Sequence, residues 1–174
     1  GIGLIDYMVK SQEDENGDFY PDFGVENDDE GYYKKYRTAN TEFDAMYVLK
    51  ANAPINTECH ANAQTQLQAG KVKFLIDERA AKEKLIATKV GQNMKPEERA
   101  EYLKPFTLTS ILKEEMMNLR EENEGINIIL KQANRGIRKD KFSAFEYGLY
   151  YIKQEEDKKK KKKKFNAADW AFFN

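Results

Sequence analysis

One cysteine, one histidine, one tryptophan and four prolines in 174 residues set the first limits. Cys59 cannot close an internal disulfide, which fits a reducing compartment, and one thiol is too few for a cysteine-based zinc site. With His60 as the sole imidazole, histidine metal chemistry has little material. No apolar run approaches the roughly 20 residues a membrane helix needs, so no membrane-spanning helix is expected. Nothing matches the Gly-x-x-x-x-Gly-Lys-Ser/Thr phosphate loop or the spacing of an EF-hand. The chain opens at Gly1-Ile2-Gly3-Leu4-Ile5 with neither Met nor a basic leader. No signal peptide is visible, and the expectation is a fragment of a longer polypeptide.

At 40% hydrophobic and 34% charged residues, this length suits one globular domain with a charged surface. The net charge of −1 conceals strong local fields. Glu13 to Glu30 holds nine acids and no base; Arg135 to Lys141 holds four bases around one acid; Lys158 to Lys164 is seven consecutive lysines.

Apolar positions over 1–9 predict a short helix, and the acidic, glycine-containing segment 11–31 an irregular loop. Tyr32 to Tyr36 suits one helical turn. Ala45 to Ala51 and Val72 to Ile76 predict strands, the first of them buried. Between them a helix opens at Pro54 or Asn56, runs through Gln68 and is stopped by Gly70. Further helices are expected over 77–90, over 96–104, and over 107–122 with Thr109 as N-cap and Leu108, Ile111, Leu112, Met116 and Leu119 as its apolar stripe. A strand over 126–130 and a final helix over 139–156, with Phe142, Phe145, Leu149 and Ile152 facing the core, complete the pattern. Alternating strands and helices indicate an α/β class. The organisation expected is a body over 1–157 and a basic, aromatic tail over 158–174.

Asp140 is the candidate site residue. It lies in the first turn of the last helix, where the dipole favours a carboxylate, amid Arg135, Arg138, Lys139 and Lys141. That setting suits a divalent metal beside a phosphate backbone; the bland alternative is a helix cap. Other candidates are weaker. Asp6 follows an apolar run, but an exposed helix residue is the expected reading. His60 has Glu58 nearby in sequence, yet residues two apart do not share a helix face, so a surface or core histidine is expected. Cys59 reads as a plain buried thiol. Lys50 and Lys71 read as solvated, and the acidic segment as a mobile loop. The lysine run fits both a phosphate-attracting patch and a disordered linker. Phe165, Trp170, Phe172 and Phe173, four aromatics in ten residues, suggest a contact element.

In order, Gly1 to Asp6, Tyr47 to Asn56, Gln68 to Phe74, Thr107 to Leu119, and Lys139 to Ala144 with Tyr147-Gly148-Leu149 resemble segments of the nuclease domain of tailed-phage terminase large subunits. The resemblance covers about residues 1–153. It implies a ribonuclease H-like mixed sheet flanked by helices, here without its N-terminal strands. It also implies Mg²⁺- or Mn²⁺-dependent endonucleolytic cutting of concatemeric double-stranded DNA in the host cytoplasm. Asp140 matches the last catalytic and metal-binding carboxylate, and Arg135, Arg138, Lys139 and Lys141 become DNA contacts. The family's other two acids belong before Gly1, so this stretch alone is expected to be inactive. The portal protein and the small terminase subunit are the implied partners, with the aromatic tail as a portal hook. The alternative is a noncatalytic DNA- or portal-binding module using the lysine run and tail.

Overall fold

Nine acids without a base predict a formless loop, but the first fifty residues are organised by those acids. The computed structural model describes residues 2–39, 41 and 43–169, with side chains described over 5–39, 41 and 43–161. It falls into two compact units, Gly1–Lys50 and Ala51–Asn174. In the first, α1 (Ile2–Met8) precedes an antiparallel pair, β1 (Gln12–Glu13) and β2 (Phe19–Tyr20). Asp14 makes the connection by accepting the N–H groups of Asn16 and Asp18 at 2.9 and 3.0 Å, an Asx-type turn. Strand β3 (Gly24–Val25) pairs in parallel with β4 (Asp44–Met46). Asp28 accepts from the N–H groups of Tyr33 and Lys34 at 2.9 and 3.0 Å, which starts a 3-10 turn over Lys34–Tyr36. Asp22 is buried and accepts from the hydroxyls of Thr38, at 2.9 Å, and Thr41.

The strand expected to be buried over 45–51 is shorter and mostly exposed, with Met46 alone half-buried. Beyond Met46 its partner is a side chain: the Asn27 amide donates to the Val48 carbonyl at 2.7 Å and accepts the Val48 N–H at 2.8 Å. A single amide thus takes the place of a neighbouring strand.

The second unit opens with α2 (Ala53–Gln68). Asn52 caps it by accepting the Ile55 N–H at 3.0 Å, and Pro54 fits the first turn, where no N–H is needed. Gly70, with φ 64°, closes it: its N–H reaches the Leu67 carbonyl and that of Lys71 the Gln66 carbonyl. That is the pairing of a Schellman motif. Residues 72–76 form no strand ladder; their contacts are side-chain ones, with Phe74 5.8 Å from Phe145 between ring centres and Lys113 donating to the Leu75 carbonyl at 3.1 Å. The expected 77–90 helix is two pieces, α3 (Glu78–Ile86) and α4 (Lys89–Asn93). Thr88 divides them, donating to the Leu85 carbonyl and accepting the Gly91 N–H.

The segments 96–104 and 107–117 are one helix, α5 (Pro96–Met117), which continues through Pro105. Thr109 is not its cap; the hydroxyl bonds back to the Pro105 carbonyl at 2.8 Å. Ala81 and Leu85 of α3 and Leu103 of α5 form the buried cluster, joined by Met94 and Phe106. Residues 119–122, expected as the end of a helix, belong instead to β5 (Leu119–Glu124), paired antiparallel with β6 (Asn127–Gln132). Gly125, with φ 62°, takes the first position of the two-residue turn, as a II′ hairpin requires. Then α6 runs from Asp140 to Asp169. The class is therefore mixed α/β, but among the described residues the strands form three separate two-stranded ladders. Phe142 is buried in α6, whereas Ile152, expected in the core, is 52% exposed.

A Cβ built on Gly91 falls 2.0 Å from the Leu85 carbonyl oxygen, a backbone atom that cannot step aside cheaply. Gly91→Ala should cost about 1–3 kcal/mol, read as a lowered urea midpoint at unchanged slope. The hydroxyl bonds to Asp22, Thr41's foremost, hold its carboxyl below the ordinary value of 3.8. Their stabilisation is complete above that value and is lost as pH falls through the lowered one. Asp22→Asn should therefore flatten the loss of stability measured between about pH 4 and 2.

Candidate functional site

Asp140 is the first residue of α6, as its position after a basic turn predicts. Its carboxylate is three-quarters exposed, and Arg138 is the nearest cation, at 3.9 Å and equally open to water. A pair this exposed contributes little to stability. The four neighbouring bases do not form a uniform ring. Arg135 and Arg138 are exposed, but Lys139 turns inward to donate to the Leu130 carbonyl at 3.2 Å, and Lys141 lies 3.9 Å from Glu115. Among the described residues no group of three His, Cys, Asp or Glu is arranged to hold a metal ion. Asp140 is thus accessible to a cation or a phosphate-bound metal but is not part of a carboxylate cluster.

Glu115 of α5 is almost wholly buried and accepts the N–H of Phe142, two residues past Asp140 on α6, at 2.9 Å. A carboxylate from another helix thus serves one of the orphan donors at the α6 N-terminus and meets the positive end of the dipole. Asn118 secures the adjoining hairpin end, accepting the Asn134 N–H and donating to the Asn134 carbonyl at 2.8 and 2.9 Å. These two residues fix where Asp140 stands.

A second constellation lies further along α6. Three side-chain bonds join it to α2: Tyr147 to Asn56 at 3.1 Å, Tyr150 to Glu58 at 3.4 Å, and Glu146 to His60 Nδ1 at 2.5 Å. Glu146 is 3% exposed and His60 12%. The histidine is thus no isolated surface or core residue, and its acid is not nearby Glu58 but a residue 86 positions away. The apolar stretch Ile128 to Leu130 of β6 borders a cleft of about 330 Å³ that His60, Glu146, Ser143 and Lys139 also line. Among the described residues no hydrogen bond joins Ser143 to His60, so a serine–histidine–glutamate nucleophile is not assembled.

Asp6 is half-buried on α1, and Lys50 and Lys71 are exposed. The lysine run is no linker: Lys158 to Lys164 continue α6, anchored at its start by Glu155 to Lys158 at 2.7 Å and Asp157 to Lys160 at 3.3 Å. Trp170, Phe172 and Phe173 of the aromatic tail lie outside the described residues, as does the side chain of Phe165. No described helix is long and apolar enough to cross a membrane.

Cys59 is fully buried beside the dyad, and burial, with Glu146 and Glu58 nearby, pushes its thiol up to about 11. Native protein should therefore resist iodoacetamide at pH 8, with complete labelling only after denaturation; rapid native labelling would contradict this packing. No protein-family model, curated protein or solved structure matches this chain.

Proposed function

We propose that this chain is part of the nuclease domain of a phage terminase large subunit, a metal-dependent DNA endonuclease acting in the host cytoplasm during genome packaging. The observation that carries the reading is the exposed carboxylate of Asp140 at the head of α6, with Arg138 beside it and Arg135 exposed nearby. On this reading the arginines hold the phosphodiester backbone, and Asp140 supplies one hard oxygen ligand to Mg²⁺ or Mn²⁺. The described residues do not by themselves make a metal site, since Asp140 has no second acid grouped with it. The family's two earlier acids complete it in the parent protein. The ribonuclease H-like sheet belongs to the same proposal, with the β5–β6 hairpin contributing two of its strands. Double-stranded DNA, the portal protein and the small terminase subunit are the corresponding partners.

A second reading rests on a separate observation: Lys158 to Lys164 extend α6 as a dense cationic helix end, with Lys159 and Lys161 exposed. A noncatalytic DNA- or portal-binding role needs only that surface.

In the parent terminase, Asp140→Asn should abolish Mn²⁺-dependent nicking of supercoiled plasmid while changing stability by less than about 1 kcal/mol. Undiminished cleavage would rule out Asp140 as a metal ligand. Residues 1–174 alone should bind duplex DNA with an affinity that falls steeply between low and moderate salt. Deleting Lys158 to Lys164 should flatten that salt slope; an unaltered slope would remove the second reading.

A further inference from the structure

Asp140 is not among the residues that line the cleft between α2, β6 and the start of α6. His60, Glu146 and Lys139 are among its lining residues. Glu146 occupies Nδ1 of His60, which orients the imidazole. The other ring nitrogen, Nε2, has no protein partner among the described residues, and it is not among the sealed, unsatisfied atoms. It is therefore open to a ligand. Lys139 uses one donor on the Leu130 carbonyl and keeps two. Ser143 and Asn56 add neutral donors on the same lining. Lys139 is the lysine of this lining, and its described partner is the neutral Leu130 carbonyl rather than a carboxylate. The helix N-terminus is not the attraction here, because Glu115 already occupies it. At about 330 Å³ the space is at the lower limit of ligand sites, room for one nucleotide and too little for a strand.

We propose that this cleft is a phosphate-ester subsite, in which His60 Nε2 and Lys139 Nζ bind one phosphate and the Ile128–Leu130 wall takes the adjoining apolar surface of a sugar or base. The ligand is either a free nucleotide or a single phosphate of a nucleic-acid backbone. The inference extends the DNA-cutting reading but does not require Asp140, so its failure would leave plasmid cleavage by the parent protein untouched.

His60 is the only histidine of the chain, so a long-range proton–nitrogen spectrum contains a single imidazole. Inorganic phosphate, a deoxynucleoside monophosphate and a short DNA duplex are titrated in turn, the small ligands to about 10 mM, well above the ~1 mM dissociation constant of a weak contact set. A saturable shift of Nε2 is expected, weakened at least tenfold in Lys139→Met and also reduced in Ser143→Ala. It should be unchanged in Lys104→Ala, whose lysine pairs with Glu101 on exposed α5 surface. A shift with duplex alone assigns the ligand to a nucleic-acid backbone, and one with the small ligands alone to free phosphate esters. No shift with any of the three, or a shift that survives Lys139→Met at full strength, overturns the proposal.

Discussion

The buried carboxylate of Glu115 is the constraint around which the second unit is arranged. A charge removed from water costs several kcal/mol unless it is hydrogen-bonded and compensated. Here the Phe142 N–H, the α6 dipole and Lys141 provide that compensation together. The bond sets the end of α5 against the start of α6, so the axial position of everything on α6 follows from it. Asp140 lies two residues before the bonded N–H and is left in solvent. Glu146 lies four residues after it, one helical turn on, and is carried into the interior where His60 meets it. The exposed acid and the buried acid are thus positioned by one contact, made by a third.

Where the sequence was legible, the signal was local. Asn52 and Gly70 mark the ends of α2 because each acts within four residues of itself. Asp140 is recognisable as a helix-start acid for the same reason. Illegible features had competing local signals or distant partners. Pro105 followed by Thr107 and Thr109 looks like a break and a cap, yet packing of Leu103 and Phe106 on α3 carries the helix through. Arg120 to Glu124 has helix-forming residues, and only pairing with β6 across Gly125 makes it a strand. The acids of the first unit look solvated by composition; which ones accept hydrogen bonds depends on turns that composition does not encode. Nothing near His60 in sequence announces Glu146, because the pair exists only once α2 and α6 lie together.

The two acidic features of the molecule therefore differ in kind. Within 1–50, Asp14, Asp22 and Asp28 are committed to backbone N–H groups and hydroxyls and act as joints of a short-stranded unit. Within 51–174, Glu115 and Glu146 are sunk between helices, and Asp140 is the acid at the head of α6 that remains in water.

The 30-residue length of α6 has a mechanical meaning. At 1.5 Å per residue it is a rod of about 45 Å, clamped at its first turn by Glu115. Seven consecutive lysines cannot form a stripe on such a rod. At 100° per residue they encircle it, and each has a like charge three positions away, most of them four away as well. Among the described residues, Glu155 pairs with Lys158 and Asp157 with Lys160. Self-repulsion thus opposes helix at the far end of the rod while packing enforces it at the near end. A polyanion wrapped around that collar would remove the repulsion, so the length over which the rod stays stiff becomes a function of what surrounds it.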